Sequence, residues 1–180
     1  MRRVVTLVVA MLVLPWVCHG AGYVCANYAL GGKIDGSSLG IEMGGVFLSD
    51  LHPQDGALSV GIGVSVADTD DDPPSADTPP VQQPTYSAQR EYNDGYEQEV
   101  SLVLGAELIP AFFAVLGVGY ASQDTVLVGT TAGNQHYKLD TETDTNVSLM
   151  LGMRYVLRGL NMGLGFHTRR GVMVSLGIAF

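Results

Sequence analysis

The chain is short of basic residues: among its 180 residues are 9 Lys and Arg against 18 Asp and Glu, for a formal net charge of −9. A protein that neutralises nucleic-acid phosphates needs a basic face, so that class is excluded. Charge of either sign is scarce at 15% of residues, although 47% are hydrophobic. Cysteine is nearly missing, with only Cys18 and Cys25, so a disulfide scaffold is excluded. Long apolar runs are missing after the first 20 residues. The one such run, Val4 to Val17 behind Arg2 and Arg3, is about 14 residues long, too short for a spanning helix and suited to the apolar region of a secretory signal peptide. Cleavage is expected after Gly20. Trp16 and Val17 do not fit a lipoprotein signal, so no lipidation at Cys18 is expected. Cleavage removes Arg2 and Arg3, leaving 7 of the 9 basic residues against 18 acidic, a net −11, and Cys25 as the sole thiol.

What the chain does have is alternation. Leu39, Ile41, Met43, Gly45 and Phe47 share one parity, and Gly40, Glu42 and Gly44 the other. Leu58, Val60, Ile62, Val64 and Val66 alternate with Ser59, Gly61, Gly63, Ser65 and Ala67. The period of two is that of β-strands with two unlike faces. It returns in Val100 to Leu108, Phe112 to Tyr120, Val147 to Tyr155, Leu160 to Phe166 and Val172 to Phe180. A weaker first strand carries Val24, Ala26, Tyr28 and Leu30 on one face. Eight strands are expected, an even number that closes an up-and-down barrel.

The minor face decides between a membrane barrel and a soluble sandwich. It is mostly Gly, Ser and Ala, which suits the narrow interior of eight strands and is unlike a water-facing sheet surface. The large apolar face is therefore expected to meet lipid. A soluble barrel with an interior hydrophobic ligand would require the opposite assignment. Short turns are expected at Leu48 to Gly56, Ile109-Pro110 and Arg158-Gly159 on the periplasmic side. Gly31 to Ser37, His167 to Gly171 and two long loops, about 68–95 and 123–145, are expected outside. With these directions, Phe47, Phe112, Tyr155 and Phe180 form a lipid-facing aromatic girdle at one interface, and Tyr28, Tyr96, Tyr120 and Phe166 form one at the other. The expected organisation is a signal peptide over 1–20 and one outer-membrane β-barrel domain over 21–180.

The signal peptide, the eight alternating segments and a last strand Val172-Met173-Val174-Ser175-Leu176-Gly177-Ile178-Ala179-Phe180 together resemble the small outer-membrane barrels of the OmpX and OmpA-transmembrane-domain type. The resemblance covers the whole mature chain. It implies that Phe180, with Val174, Leu176 and Ile178, is the C-terminal signal read by the barrel-assembly machinery. It implies residence in the bacterial outer membrane, with membrane lipid and lipopolysaccharide as surroundings. The chain departs from the two-domain OmpA pattern in lacking a periplasmic peptidoglycan-binding domain.

Five charged residues have inward parity: Glu42, Glu99, Glu107, Arg154 and Arg158. In a narrow lumen they are expected to compensate one another as a structural charge network; a small ion channel is the alternative. Asp68, Asp70, Asp71, Asp72 and Asp77 lie among prolines without the spacing of a calcium loop, so a solvated acidic loop without metal is expected. Enzymes of this architecture act on lipid A, and His136 and His167 are the only candidate bases. No G-x-S-x-G elbow occurs, and Ser148 and Ser175 read as ordinary lumen positions. Cys25 reads as a small inward filler. Arg169-Arg170 reads as a polar hairpin tip, with contact to lipopolysaccharide phosphates as the alternative. The expected function is structural, or binding and adhesion to an external ligand or host surface through the outer loops. Neither catalysis nor a cofactor is expected.

Overall fold

The computed structural model describes residues 21–34, 36–48, 56–69, 71–80 and 84–180. The expected signal segment and most of the Leu48 to Gly56 connection lie outside them. Eight antiparallel strands run β1 Ala21–Leu30, β2 Ser37–Leu48, β3 Ala57–Ala67, β4 Tyr86–Ile109, β5 Phe112–Thr131, β6 His136–Leu157, β7 Leu160–His167 and β8 Gly171–Ala179. Each pairs with its sequence neighbour, and β8 returns to β1 to close the barrel. At the seam Gly22 N–H donates to Phe180 O at 2.6 Å and Phe180 N–H to Gly22 O at 2.8 Å. The expected all-β fold, eight antiparallel strands closed into an up-and-down barrel, is borne out.

The faces follow the alternation. Leu39, Ile41, Leu58, Val64, Leu102, Leu116, Leu151, Leu164 and Leu176 are all exposed, and their neighbours in sequence point inward. A continuous belt of half-exposed Leu, Val and Ile would drive aggregation in water, and lipid is the solvent it matches. Inside, large and small residues are matched across strands. Tyr23, Gly44 and Gly61 stand side by side in register on β1, β2 and β3. A Cβ at either glycine would strike the Tyr23 hydroxyl. Gly117, opposite Met150, likewise leaves room for the Met150 side chain. The inward glycines are thus the space into which the few large lumen residues lie.

Turn chemistry agrees at the rim where β1 starts and β8 ends, here the near rim. Arg158 and Gly159 both have positive φ, 50° and 86°, as a two-residue type I′ hairpin requires. At the far rim the structure corrects the expected loops. Residues 86–95 belong to β4, and 123–145 are mostly the ends of β5 and β6, joined by a short turn at 132–135. The apolar parity fades here, so periodicity read these segments as loop; the ladder nevertheless continues, from Gln123↔Asp144 to Thr130↔His136. Asp77 of the preceding segment adds a short parallel bridge to Tyr137.

Candidate functional site

Two charged layers and an apolar cluster occupy the lumen. In the layer nearer the termini, Tyr23 Oη–H donates to Glu42 Oε1 at 2.6 Å, and Arg154 Nη2 donates to the same oxygen at 2.6 Å. The Arg154 guanidinium lies 4.4 Å over the Tyr23 ring. Glu42 is 1% exposed, so its charge is met by Arg154 rather than by water. These three residues stand on β2, β6 and β1 and tie opposite walls of the barrel together.

The outer layer is larger. Glu97 and Glu99 of β4 face Arg169 and Arg170 of the β7–β8 turn. Arg169 Nε donates to Glu97 Oε2 at 2.9 Å, and its Nη2 closes on the same oxygen. Arg170 Nη1 donates to Ser38 Oγ at 2.7 Å, and its Nη2 lies 3.5 Å from Glu99 Oε2. His167 Nδ1 receives the backbone N–H groups of Arg169 and Arg170, so the ring hydrogen sits on Nε2 and donates to Glu99 Oε1 at 3.1 Å. Two carboxylates thus meet two guanidiniums. Above them Lys33 and Ile34 N–H both donate to Arg169 O, folding the β1–β2 connection onto the turn, with Ile34 buried.

Val103, Val115 and Met150 pack with Phe113 and Ala57, the last two reaching from the Arg154 level toward the near rim. A cavity of about 30 Å³ remains among Asn27, Ser38, Glu42, Glu99, His167 and Arg170. That is space for one or two waters and not for a continuous aqueous path.

The expected lumen residues divide. Glu42, Glu99 and Arg154 are buried in the two layers. Glu107 serves the near rim instead: its Oε2 accepts from Ala57 N–H at 2.9 Å and its Oε1 from Ala111 N–H at 2.7 Å, capping two turns. Arg158 is exposed in the β6–β7 turn and belongs to no lumen layer, because the positive φ that the turn demands takes it out of strand parity. Arg169-Arg170 is corrected more sharply. It is not a solvated tip, because buried carboxylates below draw both guanidiniums inward. Tyr23, Glu97 and Asn161 share the inward parity and escaped notice, Glu97 because it adjoins a segment read as loop.

Of the expected girdle residues, Phe47, Tyr155 and Phe180 are exposed toward the near rim and Phe112 is half-buried beside Tyr155. Tyr28, Tyr96, Tyr120 and Phe166 are exposed toward the far rim. Val174, Leu176 and Ile178 face outward on β8. Cys25 is buried, and Ser148 is buried next to Glu99. His136 sits at the tip of the β5–β6 hairpin, its Nδ1 3.0 Å from Thr130 Oγ1. Asp71 pairs with Arg90 at 3.0 Å. Among the described residues no three His, Cys, Asp or Glu side chains converge.

Beyond the Tyr96, Tyr120 and Val147 level, β4, β5 and β6 continue as a three-stranded extension. The ten residues 86–95 alone reach roughly 30 Å along the strand. Glu91, Asp94, Asp124, Asp140, Glu142 and Asp144 lie on it against Arg90 and Lys138, and both cations are engaged, with Asp71 and Asp94. The β6–β7 ladder runs only from Met150 to Leu157, and Thr168 takes Leu149, so residues 139–148 form an edge of the sheet.

No family model and no curated protein matches the chain. Among solved structures, Ail, the attachment invasion locus protein of Yersinia pestis, is similar over 89% of this chain and 95% of its own, at 10% identity and a TM-score of 0.43. Ail in complex with the heparin analogue sucrose octasulfate is similar over 88% and 92%, at 9% identity and 0.36. Neisserial surface protein A is similar over 88% and 92%, at 12% identity and 0.37.

Proposed function

We propose that this protein is a non-catalytic barrel of the bacterial outer membrane whose β4–β6 extension binds an external partner. The carrying observation is the continuation of three paired strands past the level where the apolar face ends, with Glu91, Asp140, Glu142 and Asp144 exposed on β4 and β6 while β5 between them buries Thr125, Val126 and Val128. A sheet edge such as 139–148 is a template for an added strand. Its Asp140, Glu142 and Asp144 favour a basic segment and disfavour a polyanion such as a sulfated glycan. Insertion would use the Phe180 strand as signal to the barrel-assembly machinery, and lipopolysaccharide would surround the outer girdle.

The histidine chemistry supports the non-enzymatic reading. His167 is a member of the charge layer, with both ring nitrogens engaged, and Ser148 beside its partner Glu99 is fully buried. The charged layers, with only about 30 Å³ left between them, support a structural rather than a conducting role. The test is attachment of cells producing the protein to a host-cell layer or matrix protein. Reversal of Asp140, Glu142 and Asp144 to Lys is expected to cut attachment about tenfold, the scale of one or two ion pairs, and more at low salt. Attachment equal to that of the unaltered protein, with the barrel still assembled, would refute the reading.

A further inference from the structure

Among the described residues, the near-rim half of the lumen is not filled. Below the Arg154 layer lies a cavity of about 440 Å³, a size that holds a small organic ligand. Its walls are apolar, from Val46, Ala57, Ala111, Phe113 and Val156, and Gly22, Gly159 and Phe180 surround its mouth among the terminal and turn residues. Its polar lining is Tyr23, Ser59, Glu107, Arg154 and Asn161. Asn161 is 1% exposed, and neither its amide nitrogen nor its oxygen has a partner. Arg154 uses Nη2 on Glu42, while its buried Nε and Nη1 have none. Buried polar atoms are nearly always satisfied, and an orphaned set lining one cavity marks where a ligand's polar atoms belong.

Charge selects the ligand. The positive charge of Arg154 is already met by Glu42, and Glu107 stands among the turn residues, so an anion would add an uncompensated charge to a low-dielectric site. A cation would meet the remaining Arg154 donors. The orphaned atoms offer three kinds of N–H donor and one carbonyl acceptor, which suits a neutral group that both accepts and donates. We propose that this cavity binds an uncharged amphiphile, its carboxamide or hydroxyl end at Asn161 and Arg154 and its short apolar chain along Phe113 and Val156 toward the near rim.

The test uses the assembled barrel, isotopically labelled in lipid nanodiscs, with octanamide as probe and octanoate and octylammonium as charged counterparts of equal chain length. The readouts are the NMR signals of the Asn161 side-chain amide and the Arg154 Nε–H. Octanamide is expected to shift both saturably, with the charged probes at least about tenfold weaker. Asn161→Leu is expected to abolish the saturable shift of Arg154. Ala57→Leu, which narrows the cavity without touching its polar atoms, is expected to weaken binding and keeps the proposal testable where Asn161→Leu does not assemble. No shift, a shift that rises without saturating in wild type and variants alike, or octanoate binding as well as octanamide would each overturn it.

Discussion

At the scale of single residues, the lumen shows how a narrow barrel tolerates charge. Arg154 and Glu42 are separated by 112 positions yet share a 2.6 Å ion pair across the barrel, with Tyr23 supplying a second donor to the same oxygen. Replacing Arg154 by Met leaves Glu42 buried without a counter-charge and is expected to destabilise the barrel by about 3–5 kcal/mol. The double variant Glu42→Gln, Arg154→Met removes both charges and is expected to recover most of that loss. Urea unfolding in lipid vesicles, followed by loss of the compact gel band, measures both; equal stability of the single and double variants would count against the pair. Parity alone made Glu42, Glu99 and Arg154 legible as inward residues. It could not reach Arg169 and Arg170, because turn residues have no parity, and it said nothing about which carboxylate meets which guanidinium.

At the scale of elements, β4, β5 and β6 do two jobs. Their near-rim halves turn large apolar residues outward, and their far halves form a sheet whose outer strands are exposed while β5 buries Val126 and Val128. Asp124 and Thr143 face one another in register, so a two-residue Asn-Gly turn between them would remove the tip of the extension where the ladder is already paired. This shortened chain is expected to assemble with full heat-modifiability, because the lumen ion pairs of Glu42, Glu97, Glu99, Arg154, Arg169 and Arg170 all lie outside the removed stretch. Failure to assemble would mean that the extension also organises the barrel. The terminal strand makes a separate claim. Phe180 contributes two ladder bonds at the β1–β8 seam and an exposed ring. Its deletion is expected to lower the assembled fraction several-fold in cells, while the purified chain still refolds in detergent. Equal losses in both settings would assign Phe180 to stability rather than to recognition.

At the scale of the whole molecule, a closed barrel resists detergent until heated, because every backbone group of its wall is paired and the sheet has no edge in the membrane. Unboiled protein from the outer-membrane fraction is expected to migrate faster than boiled protein; no shift, with the protein in the soluble periplasm, would place the apolar face inward and refute membrane insertion. Strand number and facing were legible in advance, since alternation with period two needs only neighbouring residues to be read. The far halves of β4 to β6 were not, because polar strands such as Lys138 to Asn146 lack an apolar face and are held by their ladder partners alone. The sequence by itself determined a barrel with large apolar residues outside and small residues inside, through local periodicity. Only the tertiary structure decided that Arg169 and Arg170 turn inward onto Glu97 and Glu99, that Glu107 caps turns, and that Asn161 lines a cavity, because each depends on which strands closure brings across the lumen.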